Sequence, residues 1–202
     1  MKEIIDKRLN DNIDRVRNMI AIYQTHLQGN GRGRRGHRQT DLLRAATVFL
    51  HASLEDFLRS LSSWKFPDAN KEVINRIPLI GSNGRSPSKF LLGELVPHKG
   101  KKVEDLICES IENYLEYSNY NNKGDIVFIL TSLGLVFDEM DFEFDALTKL
   151  MARRHLIVHR ADFDQTGGRG NHRVKSISVQ QVETWVLAVE KFGHDVLDMF
   201  DN

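Results

Sequence analysis

Residues 150–164, LMARRHLIVHRADFD, set Arg153, Arg154, His155, His159 and Arg160 into a run whose apolar members have helical spacing. Leu147, Leu150 and Met151 lead in, and Leu156, Ile157 and Val158 continue it. Histidine takes and gives protons near neutral pH. Arginine grips two phosphate oxygens at once and stabilises the charge of a pentacoordinate phosphorus. Together they suffice for cleaving RNA without a metal. A histidine removes the proton from a ribose 2′-OH, that oxygen attacks the adjacent phosphate, and a cyclic phosphate results. DNA lacks the hydroxyl and would be spared.

Three other readings of the same residues compete. Basic side chains near a helix C-terminus are favoured by its negative dipole end, with no chemistry implied. His155 and His159 are four apart and share a helix face, as zinc ligands do. Leu156, however, stands where a zinc protease has its glutamate, and the flanking arginines would repel a cation. Arg153, Arg154 and Arg160 could also contact nucleic-acid phosphates without cutting. The cleavage reading carries a geometrical cost. Arg154 and His159, five apart, diverge by about 140° around a helix. The arginine must curl round, the helix must end near His159, or two copies of the chain must share the site.

The elements that would position these residues are helices. Ile5, Leu9, Ile13, Val16, Ile20, Tyr23 and Leu27 form a seam along a helix over residues 2–28. Residues 41–63 form a second, with Leu43, Ala46, Leu50, Leu54, Phe57 and Leu61 on one face. Val48, His51, Glu55 and Leu58 lie on another, where a carboxylate needs a partner. Between these helices, residues 29–39, GNGRGRRGHRQ, carry Arg32, Arg34, Arg35 and Arg38 with no acid, either as a solvated connection or as a hold on RNA phosphates. This is not a phosphate-binding loop, because the Gly-x4-Gly-Lys-Ser/Thr pattern is missing. Residues 64–100 contain all four prolines and read as short helices in loops, one starting at Ser86-Pro87. Helical patterns resume at 101–119, 124–136 and 141–160. Ser178 and Gln181 form a capping box for the last helix, through Trp185, Phe192 and Met199. Val174–Val179 alternates too briefly for a convincing strand. The expected fold is all-α: one domain over residues 1–202, a bundle of long antiparallel helices with an irregular insertion at 64–100.

Composition sets bounds on function. The 202 residues are 41% hydrophobic and 28% charged, with zero formal net charge, so the chain is no bulk polycation. Residues 103–147 nevertheless hold eleven acids and one base, Lys123, so the remainder is basic. Tyr114, Tyr117 and Tyr120 lie in that acidic segment, a poor place for RNA. No apolar run can span a bilayer, and the charged start, MKEIIDKRLNDNIDR, has no signal-peptide core. The single cysteine, Cys108, suits a reducing cytoplasm and reads as an inert, partly buried thiol. His26, His37, His51, His98, His172 and His194 read as surface or satisfied groups, and Trp64 and Trp185 as packing.

The segment RRHLIVHR resembles the Arg-x4-His motif of the HEPN superfamily, with Arg154 and His159 at its two defining positions. His155 fills the place where that family commonly has a polar residue. Residues 42–58, LLRAATVFLHASLEDFL, are similar to the family's earlier helix, with its glutamate at Glu55. The likeness is greatest to the RiboL-PSP-like branch and covers residues 40–62 and 145–200. It implies an all-α homodimer whose motif helices face each other across one RNA-cutting cleft, which would remove the geometrical cost. It further implies a metal-independent endoribonuclease with no cofactor, in toxin–antitoxin or antiviral defence, with an antitoxin or defence-system partner. His159 would be the general base or acid and Arg154 the phosphate ligand, with His155 assisting. Glu55 would hold Arg154 or His159 by a charge-assisted hydrogen bond. Arg153 and Arg160 would take flanking phosphates, and Arg32, Arg34, Arg35 and Arg38 would guide RNA. Ala161 replaces the tyrosine of an extended motif modified by a nucleotidyltransferase, so that regulation is not implied. The alternatives are a catalytically inactive RNA-binding or protein-interaction module of the same fold, and a scaffold whose first-helix seam only dimerises.

Overall fold

The computed structural model of the chain describes residues 1–29, 37–81, 92–138, 142–163 and 174–201, with the side chain of His37 left out. Arg32, Arg34, Arg35, His172 and the Ser86-Pro87 helix start lie outside the described residues. The fold is all-α, built from α1 (Lys2–Ile22), α2 (His37–Lys65), α3 (Lys71–Ile74), α4 (Val103–Glu116), α5 (Lys123–Ser132), α6 (Phe144–Arg160) and α7 (Val179–Asp198). A π-helical turn, Tyr23–Leu27, prolongs α1, and 3-10 turns cover Phe66–Asp68 and Leu92–His98. Among the described residues the only β pairing is a single antiparallel bridge between Phe163 and Val174.

The apolar periodicities explain the packing. Ile5, Leu9, Ile13, Val16, Ile20 and Tyr23 are all buried, which turns one stripe of α1 onto α2 and α7. The α2 helix is central and packs against α1, α4, α6 and α7. Its Leu43, Ala46, Leu50, Leu54, Phe57 and Leu61 are buried. The α7 helix starts at Ser178, whose hydroxyl accepts from the Gln181 N–H at 3.2 Å, and buries Val182, Trp185, Val189 and Phe192. Trp64 stacks against Phe200 at 5.5 Å, so both tryptophans pack as expected. The α5 helix opens with a capping box in which Asn122 and Asp125 satisfy each other's backbone N–H groups. Cys108 is partly buried.

The observed boundaries differ from expectation where side chains outside the periodic pattern intervene. The α2 helix begins four residues before Asp41, at His37. Thr40 and Arg44 are buried there, so the helix is held by polar contacts rather than by its apolar face. The irregular 64–100 insertion contributes only α3 and short 3-10 turns among the described residues.

Close approach of α1 and α7 depends on Gly193. A Cβ there would lie 2.2 Å from Leu9 Cδ2 and 3.7 Å from Phe57 Cζ. Gly193→Ala should therefore lower stability by about 1–3 kcal/mol through overpacking, despite alanine's better helix propensity. Urea unfolding tests this, and an unchanged or raised midpoint would contradict the packing described.

Candidate functional site

Between the apolar stripes, α2 carries a second, polar one. Thr40, Arg44, Thr47, His51 and Glu55 step by 4, 3, 4 and 4 and are all buried. This stripe faces α6, whose Phe144, Leu147, Leu150, Met151 and Arg153 are the buried positions. The seam between α2 and α6 thus combines these mostly apolar side chains with buried polar groups, each of which needs a partner.

At one end of the seam Asp162 joins three parts of the chain. Its side chain is fully buried, and Oδ2 accepts from Arg44 Nε at 2.7 Å and from Arg153 Nη2 at 2.7 Å. Arg44 also donates to Thr40 Oγ1 at 2.6 Å and to the Lys175 carbonyl at 2.8 Å. Arg153 reaches the carbonyls of Lys175 and Ser176, at 3.1 and 3.0 Å. Burial lowers the Arg153 pKa, and the Arg44 charge adds to this, while Asp162 opposes both. Asp162 gains this position because α6 ends left-handed: Ala161 and Asp162 have φ of 46° and 61°. Their N–H groups both turn back to the Leu156 carbonyl. Each such residue without glycine's freedom costs about 1–2 kcal/mol.

This corrects the expectation for Arg153. At 8% exposure, and committed to Asp162, it faces inward and does not reach phosphates on the solvent side. Its spacing was the available signal: Arg153 stands three residues beyond Leu150 and six beyond Leu147, in line with the buried stripe. Arg44 and Asp162 were not singled out at all. Arg44 lies among Leu43, Ala46 and Thr47, and only the partner in the fold shows why a cation is tolerated there.

At the other end of the seam lies Arg154. It is half-buried, and Nη1 donates to Asn121 Oδ1 at 3.3 Å. The adjoining Tyr120 N–H donates to Glu55 Oε1 at 3.4 Å. Glu55 also stands 4.0 Å from His51 and 3.9 Å from Arg59. Glu55 thus has the partners that a buried carboxylate requires. Among the described contacts they do not include Arg154 or His159, as had been expected. Glu55 instead fixes the 120–121 backbone, and Asn121 holds Arg154.

His51 also departs from expectation. It is 1% exposed, and neither ring nitrogen has a hydrogen-bond partner among the described residues. Burial holds its pKa below 6.5, and the charges of Arg154 and Arg59 push the same way, against Glu55 and the Tyr120 backbone. Burial also pushes the neighbouring Tyr120 phenol up to about 12.

His155 and His159 lie on the exposed side of α6, their rings 4.6 Å apart and tilted by 45°. The helix continues through His159 to Arg160, so it does not end early to bring Arg154 round. Arg160 and Arg38 are exposed. Among the described residues no group of three His, Cys, Asp or Glu side chains is placed to hold a metal ion. The arrangement thus offers a held guanidinium and, separately, two adjacent imidazoles open to solvent.

Two predictions follow from this seam. Asp162→Asn keeps the shape but leaves the buried Arg153 without its anion and Arg44 with only the exposed Asp41, and should cost about 3–5 kcal/mol in chemical denaturation. A loss of a few tenths would refute the linking role. His51 protonates more readily unfolded than folded, so its contribution is intact above about pH 6.5 and is lost as pH falls towards the folded value. Stability should decline over that interval by up to about 1.4 kcal/mol per pH unit, and less in His51→Phe. Equal declines in both proteins would assign the acid sensitivity elsewhere.

Compared with known proteins, the chain matches the RiboL-PSP-HEPN family over residues 10–202, which includes the middle region between the two motif-bearing helices. No curated protein and no solved structure matched it. With the match spanning nearly the whole chain and both polar helices inside it, the chain belongs to the RiboL-PSP-HEPN family.

Proposed function

We propose that the protein is a metal-independent endoribonuclease working as a homodimer, in a toxin–antitoxin or antiviral defence setting. The observation that carries this reading is the division of α6. Arg154 is held by Asn121 against the buried seam, while His155 and His159 stack on the open side one turn apart. No described contact joins Arg154 to His159 within one chain. Two copies facing through α6 would let Arg154 of one serve His159 of the other.

In such a cleft a neutral His159 imidazole takes the proton from the ribose 2′-OH. The O2′–P bond forms, Arg154 stabilises the added charge on the phosphoryl oxygens, and the P–O5′ bond breaks. A protonated imidazole, from His155 or from His159 of the second copy, supplies the proton to O5′. The products are a 2′,3′-cyclic phosphate and a 5′-OH. Arg160 and Arg38 are exposed cations suited to flanking phosphates, together with Arg32, Arg34 and Arg35 of the basic loop. Glu55 acts at one remove, through the Tyr120–Asn121 backbone. A second reading, a non-cleaving RNA-binding or protein-interaction module, is favoured by one observation: no described hydrogen bond orients His155 or His159 in the single chain.

Incubation with single-stranded RNA and matching DNA in EDTA separates these readings. Wild type should cut RNA alone and leave cyclic-phosphate ends, and His159→Ala should lower the rate by about 10²–10⁴-fold with its fold intact. Arg154→Ala should do the same, and mixing the two variants should restore activity if the site is composite. RNA binding without cleavage, unchanged in His159→Ala, would establish the non-catalytic reading.

A further inference from the structure

A cavity of about 620 Å³ opens beside α4 and α5, and one of its lining residues, Tyr120, adjoins the Asn121 that holds Arg154. Its size is in the range of ligand pockets, roughly 300–1,000 Å³, and exceeds what one side chain would fill. Tyr114, Tyr117, Tyr120 and Phe128 line it, with Asn119 and Asp125. None of the described residues that line it is basic.

Two features of this pocket favour a cation with a flat face. The first is the set of four aromatic rings, whose negative faces attract a guanidinium. Two of these rings already meet guanidinium groups of the chain itself: Arg76 lies 5.1 Å from the Phe128 ring centre and Arg59 5.9 Å from that of Tyr120. The second is Asp125. Its Oδ2 is taken by the N–H groups of Asn121 and Asn122 and by the Asn122 amide, while Oδ1 has no partner among the described residues.

The walls are held from beneath. Arg59 donates to the carbonyls of Leu115 and Ser118, at 3.1 and 2.8 Å, fixing the turn that carries Tyr117. Little reorganisation is then required on binding.

We propose that this pocket binds an arginine side chain presented by an extended segment of a partner protein. The guanidinium lies against the tyrosine rings and meets the free oxygen of Asp125, and the remaining volume takes the residues flanking the arginine. The site is separate from the ribonuclease reading and stands whether or not the protein cuts RNA.

Calorimetric titration of the full chain with the peptide acetyl-Ala-Pro-Arg-Pro-Arg-Ala-amide tests this. The comparison is the same peptide with citrulline, a neutral shape mimic, at both arginines. Wild type should bind the arginine peptide saturably and the citrulline peptide roughly tenfold more weakly. Tyr117→Ala, at a residue 75% exposed and so neutral for folding, should lose a similar factor, and Phe128→Leu gives a second reading of the same wall. Absence of saturable binding, equal affinity for the two peptides, or unchanged affinity in both variants would overturn the proposal. So would displacement of the peptide by a single-stranded RNA oligonucleotide, which would mark the pocket as a nucleobase site.

Discussion

Asp162 is the anion on which the seam depends. Two guanidinium groups, from α2 and α6, are removed from water, and Asp162 is the buried carboxylate that they share, with the exposed Asp41 a second partner of Arg44. Desolvating charges is tolerable only when geometry and further hydrogen bonds offset it. The carbonyls of Lys175 and Ser176 supply those bonds, and so the segment entering α7 is drawn into the same junction. The left-handed turn at Ala161–Asp162 delivers the carboxylate to both arginines, and its backbone strain is stored against those bonds. Loosening this junction would release α6 from α2 at the end where the motif histidines sit.

With one end of the seam closed in this way, the rotation of α6 is determined. Successive residues on a helix turn by about 100°. Once Arg153 points inward, Arg154 falls at the edge and His155 outside. His159, one turn beyond His155, falls on the same open side. The two defining residues of the motif thus sit in different environments: Arg154 is tethered through Asn121 to a turn that Glu55 contacts, while His159 is exposed beside His155. The proposal of a site completed by a second copy rests on this division.

The helices α4 and α5 bring the tyrosines of the acidic stretch around one pocket, with Arg59 as the inner brace. The basic motif lies on α6. The two regions meet at residues 120–121, where Tyr120 faces the pocket and the next side chain holds Arg154. Formal neutrality therefore conceals a basic motif on α6 and an acidic stretch of the chain over residues 103–147.

The apolar repeats alone determined the all-α class, the long helices and most of their buried faces. The spacings of Leu9, Leu50, Leu147 and Val189 require burial whatever they pack against, because apolar area must leave water. The motif and its resemblance also placed the proposed chemistry on α6, and the family match over residues 10–202 agrees with the resemblance to the family. Tertiary structure decided which charged residues belong to the interior. Adjacent arginines, Arg153 and Arg154, are chemically identical in the sequence, and only the position of Asp162 and Asn121 separates a buried structural cation from one at a site edge. His51 and Glu55 likewise show on α2 only as polar positions. Their meaning comes from α6 and from the Tyr120 backbone, brought near by contacts far apart along the chain. Burial of a single face is a local property that periodicity reports, whereas the pairing of a buried charge depends on what the fold places opposite it.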